Sequence, residues 1–376
     1  MENIPVIFSQ YGGGVKTNRD IWTYDFSHNA LEAKMKLFIA TYNAEVDRWR
    51  RRGNNAQSID DFVLYDDTKI KWSEGLKLNL QRGNYTDDYN HAKARLSLYR
   101  PFCKQWLYFD RIIIERVYQF FQFLPTTISE LENRVIYVPG LGNRLGFGCL
   151  VTNTIVRLDI AFEKAQCFPY YTYTPDGSHR RENITDWALT QFQTMHGTEV
   201  TKWDIFHYVY AVLHHPQYRE RYAENLKRNL PHIPLLPQHE EFTNCVCIGK
   251  ELMELHLNYE QAKEYPLAWQ ENEQVTFDWR VTKMKLTPDK TAVVVNECLT
   301  LAGVPLECFQ YRLGSRAALE WIIDQYQVTT DKRSGIENDP NRLDDEQYIV
   351  RLIGRVITVS VETVKLINIL AQAVTI

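Results

Sequence analysis

The sequence predicts an α+β fold with no regular βα alternation, a β-rich lobe being braced by helical segments. Three observations carry it. Residues 100–173 and 269–305 are dense in β-branched and aromatic runs punctuated by Pro and Gly. Residues 28–52, 184–230 and 316–327 instead place apolar side chains at helical intervals. The two textures come in blocks rather than in turn, which argues against a doubly wound sheet.

Taken in order, a Gly-rich turn at Gly12–Gly14 leads into a short extended piece. A helix follows, with Ser27 as N-cap and Leu31, Met35, Phe38, Ile39, Tyr42 and Val46 on one face, ended by Gly53 and two Asn. The cluster Arg48, Arg50, Arg51, Arg52 suits the negative end of the helix dipole and reads as a solvated helix end. From about Ser58 to Tyr99 helix and turn signals alternate, with an apolar/polar alternation in residues 69–80. Residues 100–173 are the most strand-like stretch, with runs such as WLYF, VIYV and LVTNTIV. Helical spacing returns with Trp203, Phe206, Tyr210 and Leu213, until Pro231, Pro234 and Pro237 break it. The tail has helical spacing at Ile349, Ile353, Val356 and Ile357, but the β-branched density of VITVSV leaves that part open between helix and strand.

The 376 residues carry 43 Lys+Arg against 47 Asp+Glu, a net charge of −4, with 44% hydrophobic and 24% charged residues. This composition excludes wholesale disorder, a fibrous repeat and a low-complexity chain. No run of about 18 apolar residues marks a membrane span, and residues 1–14 have neither a basic n-region nor a long apolar h-region. A cytoplasmic location without a membrane partner is expected. The seven cysteines are scattered without framework spacing and read as reduced, mostly buried thiols. A charge of −4 gives no global attraction to phosphate, so nucleic-acid binding would require a local concentration of cations.

No complete active site is found. Val15 separates Gly14 from Lys16, which breaks the phosphate-loop pattern, and Leu145 stands where GLGNRLGFG would need a glycine for dinucleotide binding. Cys245 and Cys247, with His239 and His256 on either side, lack a completing ligand pair and read as thiols in a short strand. Of His214 and His215, adjacent on a helix, one is expected inside and one outside. There is no nucleophile elbow, Pro288-Asp289-Lys290 lacks the rest of a nuclease motif, and no Pro-Pro pair exists to grip a flipped base. The expectation is a non-enzyme with no catalytic residues, no cofactor and no metal.

Three longer segments resemble the C-terminal specificity part of the type ISP restriction-modification enzymes. YRPFCKQWLYFDR (Tyr99 to Arg111) looks like the opening motif of adenine-methyltransferase target-recognition domains. FHYVYAVLHHPQYRERYAENLKRNLPHIPL (Phe206 to Leu235) is similar to the helical segment that follows the recognition module, and LEWIIDQYQVTTDKRSGIENDPN (Leu319 to Asn341) to the C-terminal signature. GVKTNRDIWTYDFS (Gly14 to Ser27) resembles the junction where the methyltransferase domain ends. The resemblance implies four segments: a connector over 1–57, a β-rich target-recognition lobe over 58–200, a helical segment over 201–265, and a second α+β lobe with C-terminal helices over 266–376. It also implies double-stranded DNA as partner, together with methyltransferase and helicase-nuclease modules present in trans or lost.

The candidate DNA contacts follow. Arg100, Lys104 and Arg111 alternate with Trp106 and Tyr108, offering phosphate neutralisation, stacking and base-edge hydrogen bonds. On a strand, Lys104, Trp106 and Tyr108 share one face and Gln105 takes the other, so only one set can meet DNA. Asn143 and Arg144 sit in a Gly-rich loop, and Tyr171, Tyr173, Arg180 and Arg181 in a second loop, where a plain solvent loop is the alternative for both. The resemblance places Lys16, Asn18 and Arg19 where a methyltransferase domain meets DNA. The function expected is sequence-specific duplex recognition that positions an adenine methyltransferase and motor. The rivals are a protein-interaction or assembly module without DNA readout, and a divergent methyltransferase or nuclease.

Overall fold

The computed structural model describes residues 2–53 and 57–376. Helix α1 (His28–Arg51) starts at Ser27, whose hydroxyl accepts the Ala30 N–H, and buries Leu31, Met35, Phe38, Ile39, Tyr42 and Val46. It packs on α2 (Glu74–Gln81) with Trp22, Ile70 and Ile113, forming one apolar cluster. The apolar/polar alternation in residues 69–80 thus runs into a helix. Leu76 and Leu80 are one helical turn apart, and burying both against α1 decides the local conformation.

Two four-stranded sheets hold the strand-like region. The first orders β1 (Gly12–Gly13), β8 (Gln166–Pro169), β5 (Val135–Val138) and β6 (Leu150–Thr152), all antiparallel. The second orders β2 (Tyr24–Asp25), β4 (Cys103–Tyr108), β3 (Ala94–Arg100) and β7 (Ile155–Val156), with the β3–β7 pair parallel. β6 and β7 are separated only by Asn153 and Thr154, so the two sheets share one turn. A third sheet, β9 (Ala268–Glu271), β12 (Leu299–Ala302), β11 (Ala292–Val294) and β10 (Lys285–Leu286), lies further along the chain, with β9 at its edge and exposed throughout. This is the expected α+β texture.

Helices α3 (Asp186–His196), α4 (Lys202–His214), α5 (His239–Leu257), α6 (Ala318–Gln325) and α7 (Tyr348–Ala373) supply the support. α7 is continuous through VITVSV. Its β-branched side chains are buried there, and core packing overrides their modest helix propensity. It is long and apolar enough to cross a membrane by length and composition, and about half of its residues are buried in the core. Residues up to Val364 join the main apolar cluster, which draws on all four expected segments, while Leu370 joins a second cluster centred on α4 and α5.

α4 and α5 cross closely at Gly249, where a Cβ would stand 2.1 Å from the His207 carbonyl oxygen. Cys245 and Cys247 lie on α5, a helix rather than the expected strand, and Cys247 is exposed. Both His214 and His215 are buried, which corrects the expected division between inside and outside: the turn at Pro216 folds the chain back so that His215 Nε2 meets the Val374 carbonyl at 3.0 Å. The crossing encloses a polar knot. The Tyr210 hydroxyl is 2.6 Å from His256 Nδ1, His256 Nε2 is 2.9 Å from the Thr363 hydroxyl, and His214 Nδ1 is 2.9 Å from the Tyr210 carbonyl. Burial pushes His256 down to about 3 and holds His214 well below the ordinary histidine value, so both rings are neutral.

Candidate nucleic-acid interface

The site begins at the three glycines. A Cβ on Gly14 would lie 2.8 Å from the backbone of Arg157 and Leu158, so only glycine lets these two stretches run so close. The approach is fixed by Val15 N–H donating to the Val156 carbonyl at 2.7 Å and Leu158 N–H donating to Val15 at 2.8 Å. One residue further, Lys16 and Arg116 exchange both backbone hydrogen bonds at 2.9 Å. Both side chains are exposed, and neither is in an ion pair among the described residues.

This register borders a polar cleft of about 530 Å³ beside the second sheet, lined by Lys16, Asn18, Asp20, Lys71, Arg100 and Arg157 among others. At its centre the Tyr99 ring lies between two guanidinium groups, Arg100 at 4.7 Å and Arg157 at 4.9 Å from its centroid. The two cations differ in their counter-ions. Arg157 forms a 2.7 Å ion pair with Asp20; burial pulls its pKa down, but Asp20 together with Tyr99 and Tyr24 turns the balance into a rise. Arg100 donates only to the carbonyls of Tyr99 and Asp159, at 3.0 and 2.9 Å. Burial, and then the neighbouring Arg157, lower its pKa. A half-desolvated guanidinium facing only carbonyls gains most from an anion entering the cleft. Asp159, Asp324 and Asp331 also line the cleft, so its charge is mixed rather than uniformly positive.

The sequence-predicted residues fall into separate places. Lys16, Asn18, Arg100 and Gln105 come together at this cleft. Asn18 is held at φ +58°, a conformation that asparagine tolerates better than most residues. Lys104 and Trp106 line a neighbouring cleft of about 600 Å³, where Lys104 pairs with Glu260 at 2.7 Å and Trp106 meets His28 edge-on at 4.9 Å. Arg111 is exposed with its guanidinium 3.8 Å over Phe121. Arg144 projects from the Gly-rich loop, paired with Glu163 at 2.8 Å. Tyr171 is half-buried beneath Arg180, which pairs with Glu132 at 2.8 Å, and Arg181 is exposed beside them.

Five of the predicted residues are interior. Arg19 is fully buried, donates to the Lys71 and Ile113 carbonyls and to Ser73, and lies 3.6 Å from Glu115. Burial, opposed by Glu115, brings its pKa down to about 10. Gln105 sits under the cleft floor with 3% of its surface accessible. Tyr108 is covered, accepting the Asn90 N–H at 3.2 Å, so it does not share the open face of Lys104 and Trp106. Asn143 closes its own loop by donating to the Gly146 carbonyl at 2.7 Å. Tyr173 is buried with its hydroxyl 3.4 Å from Glu132. These five shape the fold and do not face solvent.

Sequence reasoning missed Tyr99, Lys71, Arg116 and Arg157. Tyr99 and Arg157 carried a usable signal, since each adjoins a strand-like run and Tyr99 precedes Arg100. Lys71 and Arg116 did not. His28, Glu32 and His91 bring their ligand atoms within 4.8 Å of one another and could hold a cation, but the Lys36 ammonium already sits 2.6 Å from Glu32 and holds its carboxyl below the usual range.

Helix-braced sheets beside a cleft that gathers both cations and carboxylates make a candidate recognition surface. The chain belongs to the type ISP C-terminal specificity domain family, whose profile matches residues 6–352. Solved structures agree. A nuclease-deletion mutant of the type ISP restriction-modification enzyme LlaGI, in complex with a DNA substrate mimic, superposes with a TM-score of 0.84 at 37% identity over 96% of this chain. A DrdV–DNA complex gives 0.83 at 34%, and the ATP-dependent type ISP enzyme LlaBIII bound to DNA gives 0.83 at 32%, each again over 96% of this chain. The chain spans 33%, 36% and 23% of those three chains. No curated protein sequence matches it.

Proposed function

We propose that this chain is the target-recognition module of a type ISP restriction-modification system, binding duplex DNA sequence-specifically and positioning an adenine methyltransferase and helicase-nuclease. The observation that carries the reading is Arg100, a partly desolvated cation with no carboxylate partner among the described residues, its guanidinium over the Tyr99 ring in a cleft that Lys16 lines and beside which Arg116 bridges to Lys16. Phosphates entering there would set register, while Asn18 and the exposed arginines of the two loops would read base edges. Of the three superposable proteins, at 32–37% identity, two were solved with DNA and one with a DNA substrate mimic. Methyl transfer and cleavage would belong to the other modules.

Binding enrichment from random duplex pools, followed by anisotropy titration at two salt concentrations, tests this. A short enriched motif and affinity that falls steeply with salt are expected; flat, salt-insensitive binding overturns it.

A surface that would suit the other modules lies at β9. β9 is an exposed edge strand, and Trp269 and Phe277 beside it are exposed among Glu271, Glu273 and Asp278. The acidic, aromatic character of this edge suits a basic protein surface rather than phosphate.

A further inference from the structure

Tyr118 lies two residues beyond Arg116 and has a backbone φ of +45°, in the left-handed region that a bulky side chain rarely adopts. Such a conformation costs energy and persists only where the surroundings hold it. Interior packing does not explain it, because Tyr118 is 47% exposed, and its hydroxyl has no hydrogen-bond partner among the described residues. What the conformation does is lay one edge of the ring on β1. Its Cε2 and Cδ2 atoms stand 3.3 and 3.4 Å from where a Cβ on Gly13 would sit, so a side chain at that position would press the ring away. One side of the ring is thus supported by backbone while much of the ring stays open to solvent.

The surroundings favour one class of ligand. Lys16 and Arg116, joined through the backbone, are exposed cations on the same edge. Tyr11, two residues before Gly13 and on the same strand face, is 40% exposed and stacks on Phe168 at 5.3 Å. An aromatic ring held outward, with no polar partner and with unpaired cations beside it, matches the pattern by which proteins stack a nucleobase while neutralising its flanking phosphates.

We propose that Tyr118 is a stacking wedge, its ring taking the face of a base that is partly unstacked in the bound duplex, with Lys16 and Arg116 on the adjacent phosphates. The proposal rests on the DNA-binding reading and adds to it a local distortion of the duplex and the residue that supports it.

The test uses the full chain and the duplex enriched from random pools, with 2-aminopurine placed at each position in turn. Wild type should raise the fluorescence at one or two adjacent positions. Tyr118→Ala should abolish that rise and weaken binding by about tenfold. Tyr118→Phe should keep both, because the ring rather than the hydroxyl does the stacking. Tyr118→Gly, which suits a positive φ, should keep an unchanged or higher melting temperature and still lose the rise, separating stacking from folding. If wild type binds the duplex but no position brightens, or if Tyr118→Ala leaves the rise unchanged, the wedge is overturned while the DNA-binding reading stands. If wild type enriches no duplex, both fall together.

Discussion

The knot between α4, α5 and α7 and the cleft at Tyr99 both take polar groups out of water, but they complete them differently. In the knot, Tyr210, His256 and Thr363 satisfy one another, and the rings are neutral. In the cleft, Arg100 donates only to carbonyls, while Lys16 at the lining and Arg116 next to it are in no ion pair among the described residues. A closed network fixes the position of elements, whereas an incomplete one is ready for a ligand. The contrast is sharpest between neighbours: Asn18 faces the cleft and Arg19 faces the interior, within one turn of chain.

Replacing Arg19 should break the closed side most severely. Arg19→Ala leaves Glu115 and two backbone carbonyls without their cation, and a loss of about 3–5 kcal/mol in urea unfolding is expected. Acid should open the knot next. The unfolded histidines take up protons near pH 6.5, while buried His256 resists until about 3 and His214 is also held low. Their contribution is therefore complete above pH 6.5 and declines as pH falls toward 3, by about 1.4 kcal/mol per pH unit for each ring. Denaturant midpoints measured between pH 7 and 4.5 check this, and a midpoint independent of pH would contradict it.

On the open side, Arg100→Ala should leave the melting temperature nearly unchanged and weaken duplex binding by about tenfold. It should also reduce the slope of log affinity against log salt by about one. Arg144→Ala should have the smallest effect on stability, since its pair with Glu163 is exposed and screened; no measurable shift in melting midpoint is expected.

Helix α1 was legible because its signals are local. Ser27 marks a start, and the spacing of Leu31, Met35 and Phe38 marks a buried face. VITVSV was not, because its composition favours a strand and only the neighbours covering it on several sides make it helical. The same limit applies to the site. Arg100 and Lys16 can be picked out as residue types, but Arg157 reaches the cleft, and Arg116 its place beside Lys16, only through pairings between parts of the chain far apart in sequence, from Val15 to Arg157 and from Lys16 to Arg116. Burial explains the other misses. Nothing near Gln105, Tyr108 or Asn143 in the chain announces what will lie over them.

α7 has a mechanical consequence. Its first five turns are seated in the cluster beneath the sheets and its last in the cluster around α4 and α5, so one rod is clamped at both ends. Neither region can melt without loosening its grip on the same rod. Amide exchange along α7 should therefore be governed by whole-molecule opening from the first turn to the sixth, with fraying confined to the final residues.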